Sequence, residues 1–283
     1  MYRMWLFVAL LLAALARPVM AEDTVNLISY TDYAPYVSDK VPGGGMLTEV
    51  VSAAFAAAGT ELQVTYMPWK RGYRMVLEGE AVGTFSWQKT EERTRRFTMS
   101  DALFSDSNLV YTTLPNFSVL ADLEVDKQHP NPITICIPHG WTLPGRFRSF
   151  VANGTLRRIT PEKVGSCVDL MYNRRTHIIN VPPLTMYYEL RALAEKVGVK
   201  TVPIQGLRVI NPGALPPATT HILFAKTPAG NQAAQIFKKG FDTIKSNGLY
   251  REIITKHLKL YPGIDHTQIF ADLEFSGLIP ATP

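Results

Sequence analysis

Between Val25 and Phe85 the apolar residues of this chain alternate between two periods. Val25 to Ser29 alternates as a β-strand does. Leu47, Val50, Val51, Ala54, Phe55 and Ala58 then recur at the spacing of one helix face, after Gly43-Gly44-Gly45 and before Gly59. Leu62 to Met67 is again β-prone. Pro68 to Gly79 reads as a short helix, and Ala81 to Phe85 as a third strand. A strand–helix–strand–helix–strand succession has few ways to bury its apolar faces, and the common one is a parallel sheet covered by helices. In such open α/β sheets small ligands bind just beyond strand ends.

Two strand ends carry suitable chemistry. The third strand runs into a polar stretch holding Trp87, Lys89, Thr90 and Arg93, expected as a loop: a ring, two cations and a hydroxyl. Trp69, in the preceding Pro68-Trp69-Lys70-Arg71 turn, is either a wall of the same pocket or core packing. The first strand runs into Tyr30-Thr31-Asp32-Tyr33-Ala34-Pro35-Tyr36, a loop by its proline and polar content that nevertheless holds three tyrosines.

The middle of the chain repeats the pattern. Asn108 to Thr113, Ile133 to Ile137, Thr176 to Asn180, Lys200 to Pro203 and Thr219 to Lys226 are expected strands. Cys167, Leu170 and Met171 give a short helical face, and Pro182-Pro183 opens a helix through Val197. The last third is helical: Ala233, Ile236, Phe237, Gly240, Phe241 and Ile244 form one stripe, and Asn247-Gly248 separates it from Tyr250 to Leu258. Tyr261 to Pro283 is left open.

Residues 1–21 combine a basic start at Arg3, an apolar run from Trp5 to Ala16, and small residues before Glu22. That is the pattern of a cleaved secretory signal, and its apolar run is shorter than the roughly 20 residues a membrane span needs. Without Arg3 and Arg17 the chain carries 27 basic against 24 acidic side chains, too mild a balance to indicate nucleic-acid binding. The histidines show no metal-ligand spacing, so neither a metal nor a cofactor is expected. Export makes a disulfide between Cys136 and Cys167 possible, although two buried thiols fit the sequence equally well.

Four stretches resemble bacterial extracellular solute-binding proteins of family 3, the polar amino acid type: Tyr33-Ala34-Pro35-Tyr36, Pro68-Trp69-Lys70-Arg71, Thr90-Glu91-Glu92-Arg93 followed by Ser100-Asp101, and Phe237 to Ile254. The resemblance implies a type II periplasmic-binding-protein fold, two α/β lobes joined by crossing strands. It places lobe 1 at residues 22–112 plus 225–283 and lobe 2 at 113–224, with crossovers at Val110-Tyr111-Thr112 and Leu223-Phe224-Ala225. It implies a periplasmic monomer that closes on a carboxylate-bearing small molecule and delivers it to an ABC permease, without catalysis. Arg93 is then the carboxylate clamp, Trp87 and Tyr33 aromatic walls, and Lys89 an added charge. Gly140-Trp141-Thr142 resembles the family's anion-holding turn, with Trp141 in place of a small residue and Arg146 nearby. Where amino-acid-binding relatives have an aspartate for the ligand ammonium, this chain has Asn180 or Val181, so the ligand is an amino acid or a related organic anion. A periplasmic accessory or sensing role, and a cyclohexadienyl dehydratase-like enzyme, are the alternatives.

Overall fold

The computed structural model describes residues 23–280 except 108, 116, 118–131, 144, 203 and 211–216, and the side chains of Asp23 and Arg146. The signal-like segment lies outside the described residues. In the first lobe β1 (Asp23–Ser29) pairs in parallel with β2 (Thr60–Tyr66) along its length and with β3 (Gly83–Gln88) at Ile28. The late strand β11 (Ala218–Phe224) returns antiparallel to β3. It also pairs with the short strands β4 (Thr98–Met99) and β5 (Phe104–Asp106).

The expected apolar stripe of α1 (Met46–Ala57) is buried: Leu47, Val50, Val51, Ala54 and Phe55 all have no exposed surface. They share one core with Phe237, Phe241 and Ile244 of α7 (Pro228–Ser246) and with Tyr250, Ile253 and Ile254 of α8 (Leu249–Leu258). α1 and α7 meet at Gly240, where a Cβ would lie 1.7 Å from the Ala54 carbonyl oxygen. Glycine is required there by close approach, not by its dihedral freedom. The segment after Tyr261, open in the sequence, forms α9 (His266–Phe275). Its Ile269 and Leu273 enter the same core, and Ser276 Oγ donates to Ser105 Oγ at 2.7 Å.

The second lobe has the strand order β10 (Arg208–Ile210), β6 (Leu109–Thr112), β9 (Ile178–Val181), β7 (Ile133–Cys136), β8 (Leu156–Ile159). Its helices are α4 (Gly145–Ala152), α5 (Val164–Tyr172) and α6 (Pro183–Val197). Cys136 at the end of β7 and Cys167 on α5 are disulfide-bonded with their Cα atoms 5.5 Å apart, both fully buried. Closing a loop of that length is worth about 3.5 kcal/mol on the chain-entropy account.

Several expectations shift. Val110-Tyr111-Thr112 is not a crossover but lies within the second sheet, paired with β9, and Leu223-Phe224 lies within the first. The chain changes lobes between Asp106 and Leu109, and again between Ile210 and Ala218. Hydrophobic runs mark strands but not which sheet claims them. Residues 200–202 form no strand. Conversely β8, with sequence Leu-Arg-Arg-Ile, and β10 were missed. Pairing supplies there what short, charged runs cannot show.

Beside the first lobe change, Asp106 is buried with Asp272 of α9 at a cavity of about 320 Å³ that Tyr111, Asp265 and Gln268 also line. Tyr36 donates its hydroxyl to Asp106 Oδ2. Burial pushes the Asp106 carboxyl up to about 7. The Tyr36 bond opposes that shift, and the Asp272 charge adds to it.

Two outcomes are expected. Gly240→Ala forces α1 and α7 apart and lowers unfolding free energy by about 2–3 kcal/mol in urea titration. The native state holds the Asp106 proton after the unfolded chain has released it, so this group's stabilisation is lost as pH rises from about 4 to about 7, by roughly 3–4 kcal/mol. Asp106→Asn should be progressively more stable than wild type over that window when urea midpoints are compared at pH 5 and pH 8.

Candidate ligand-binding cleft

The cleft begins with an irregularity in β3. Ser86 has φ 74°, a left-handed conformation that a non-glycine residue holds at a cost of about 1–3 kcal/mol. Opposite it, β11 shifts register between His221 and Ile222. Trp87, expected in a polar loop, is instead a buried strand residue whose Nε1 donates to Thr84 Oγ1 at 3.0 Å. The polar stretch after it is partly helical: Thr90 caps α3 (Glu91–Arg96) by accepting the Arg93 amide at 3.2 Å.

That helix sorts its arginines. Arg95 pairs with Glu91 at 2.8 Å and Arg96 with Glu92 at 3.3 Å, all four exposed. Arg93 faces the other way. Its guanidinium lies 4.7 Å from the Trp87 ring centroid, and its Nη1 donates to the Gln88 carbonyl at 2.7 Å. Among the described residues no carboxylate comes within ion-pair distance of it. Burial lowers its pKa, but a guanidinium stays charged.

An aromatic wall continues from this cation. Trp69, the first residue of α2 (Trp69–Leu77), meets Trp87 edge-on at 4.8 Å and stacks on Tyr30 at 4.7 Å. Tyr33 stacks on Tyr36 at 4.9 Å and meets Trp141 of the second lobe edge-on at 5.1 Å. Trp141, the departure from the small residue of related turns, thus reaches across and packs on the first lobe. The Trp141 amide is not free for an anion, because it donates to the Pro138 carbonyl at 3.1 Å.

Two connected spaces result. The inner one, about 40 Å³, is lined by Tyr33, Trp69, Ser86, Trp87, Gln88, Arg93, Gly140, Trp141, Thr142 and Thr220. Three buried polar atoms of its lining residues have no hydrogen-bond partner among the described residues: Trp69 Nε1, Ser86 Oγ and Thr220 Oγ1. Trp69 Nε1 can only donate, and both hydroxyls can donate as well. Leaving such groups unmatched costs about 1–3 kcal/mol each. With Arg93 they form a donor-rich recess for an oxygen-bearing group.

The outer space, about 1100 Å³, adds Lys70, Lys89, Arg95, Arg148 and Arg158 as cations, and only Glu91 and Glu92 as acids. Lys89 is exposed at its rim. Asn180 is not in either space. It is buried in β9 and spends its amide on the Leu109 carbonyl at 3.1 Å, holding the second sheet together. Asp32, in the tyrosine-rich loop after β1, lies 3.9 Å from Lys40 and lines neither space. The Arg146 side chain lies outside the described residues. Sequence reasoning missed Ser86, Gln88, Tyr73, Thr220, Arg148 and Arg158. Ser86 betrays itself only through its dihedral, and Thr220 arrives by long-range strand pairing.

Comparison by sequence finds no matching family model and no matching curated protein. Comparison by structure defines the fold as that of the two-lobed periplasmic binding proteins. An ancestral arginine-binding protein bound to arginine aligns over 83% of this chain and 98% of its own, at TM-score 0.65 and 14% identity. An amino acid ABC transporter substrate-binding protein from Streptococcus pneumoniae, bound to L-arginine, aligns over 83% and 94%, at TM-score 0.63 and 15% identity. An ancestral amino acid-binding protein described as a precursor of cyclohexadienyl dehydratase aligns over 82% and 94%, at TM-score 0.63 and 14% identity. No helix among the described residues is long and apolar enough to cross a membrane.

Ser86→Gly should relieve the left-handed strain, raising stability by about 1 kcal/mol in thermal denaturation, because glycine adopts this φ without penalty.

Proposed function

We propose that this protein is an exported, periplasmic, monomeric solute-binding protein. It captures a small carboxylate-bearing ligand between its lobes and delivers it to the permease of an ABC transporter. One observation carries the reading: Arg93, without a counter-ion among the described residues, shares the inner recess with three buried polar atoms that lack partners. A carboxylate would accept from all four, and a guanidinium fork matches its geometry. Tyr33, Trp69, Trp87 and Trp141 would enclose the adjoining part of the ligand, with Thr142 and Lys89 beside it. Tyr30 on the first lobe donates its hydroxyl to the Glu162 carbonyl on the second at 2.9 Å, a contact of the kind that holds two lobes closed.

The acids of the cleft support binding rather than catalysis. Glu91 and Glu92 are already paired with arginines, so neither is poised as the acid that a dehydratase would need.

Isothermal titration of the mature chain against amino acids and organic carboxylates tests the reading. A carboxylate ligand should bind, and Arg93→Gln should weaken it by about 100-fold or more, with Trp69→Phe costing about tenfold. A folded protein that binds none of them, or an Arg93→Gln variant that binds as wild type, overturns it.

A further inference from the structure

We propose that the ligand carries a second anionic group, held from the second lobe by Arg158, so that the preferred solute is a small dianion rather than a zwitterionic amino acid. The inference rests on the carboxylate reading of the Arg93 recess.

Arg158 belongs to β8, next to the exposed Arg157, and lines the outer space that Arg93 also lines. The two guanidiniums therefore enter one cleft from opposite lobes. Arg158 is half-buried, and burial lowers its pKa. Its Nη2 donates to the Trp141 carbonyl over a long 3.5 Å, and its Nε is sheltered from solvent with no acceptor among the described residues. No carboxylate lies within ion-pair distance among the described residues. A partly desolvated cation without a counter-ion is costly. At a surface strand it could have turned outward, as Arg157 does. Its position tied to Trp141, the residue that closes on Tyr33, holds it at the cleft instead.

Charge excludes the usual alternative. The ammonium of an amino acid bound at Arg93 would meet Lys70, Lys89, Arg148 and Arg158, and no free carboxylate in the described lining. A second carboxylate would meet the opposite: each added negative group relieves repulsion among cations already there. It also gives closure a driving force. A ligand shifts an open–closed equilibrium only by what it gains in the closed state. A dianion gains an Arg from each lobe only when both lobes are on it, whereas a monoanion leaves Arg158 unmatched.

Titration calorimetry on the mature wild type, Arg93→Gln and Arg158→Gln, each first checked for folding by thermal denaturation, separates the possibilities. The probes are the dicarboxylates malonate, succinate, glutarate and adipate, the monocarboxylates propionate, butyrate and valerate, and the zwitterions glutamine and arginine. The best dicarboxylate should bind at least about thirtyfold tighter than any monocarboxylate or zwitterion, and Arg158→Gln should collapse that ratio below about threefold. Arg158→Lys, which keeps the charge without the fork, should restore part of it. If a monocarboxylate or an amino acid binds as tightly as every dicarboxylate, or Arg158→Gln weakens all ligands equally, the dianion inference fails while the carboxylate reading stands. If dicarboxylates bind and Arg93→Gln leaves them unaffected, the Arg93 recess fails instead. If a folded wild type binds none of the probes, both fail.

Discussion

The pairing of β3 with β11 is the constraint on which the rest of this molecule depends. These strands flank the second lobe in the chain, and their antiparallel contact adds β11 to the first sheet after the second sheet has been built. The pairing is imperfect where it matters. A register shift in β11 faces the left-handed Ser86 of β3, and Ser86 and Thr220 line one recess with side-chain oxygens that lack hydrogen-bond partners among the described residues. A regular ladder would have kept alternate side chains on alternate faces and given no such recess. The backbone energy held at Ser86 is thus located at the point where ligand contact would offset it.

Electrostatics follow from this backbone. The short helix α3 hands two arginines to its own glutamates and leaves the third over Trp87. Position on a capped turn, not residue type, decides which cation is free. The second lobe repeats the arrangement more sparingly, with Arg158 held by Trp141. The cleft is therefore positive because its acids are already committed, which is a stronger statement than the chain's mild net charge allows.

The Cys136–Cys167 bond ties β7 to α5, and α9 returns the C-terminal segment to the first core beside the lobe change at Asp106. That change carries the buried Asp106, whose carboxyl pKa burial pushes up, so protonation bears on stability at the link between lobes. The chain enters the second sheet a few residues earlier than the family resemblance implied, because β6 is claimed by β9 and not by β3.

Much was determined by sequence alone. The period changes from Val25 to Phe85 pointed to an α/β sheet, since a helix-covered parallel sheet is the common way to bury those faces together. The stripes of α1 and α7 were legible because each helix carries its own period. Arg93, Trp87, Trp69 and Tyr33 were legible because they follow strand ends, although Trp87 proved to be part of its strand. Tertiary structure decided the rest. Asn180 spends its side-chain amide on the Leu109 carbonyl, Thr220 joined the recess by pairing more than 130 residues along the chain, and Arg158 came to line the same cleft as Trp87 only once both lobes were in place. Such properties belong to pairs of segments rather than to any one of them, because burial and unmet hydrogen bonds exist only once the partners are in place.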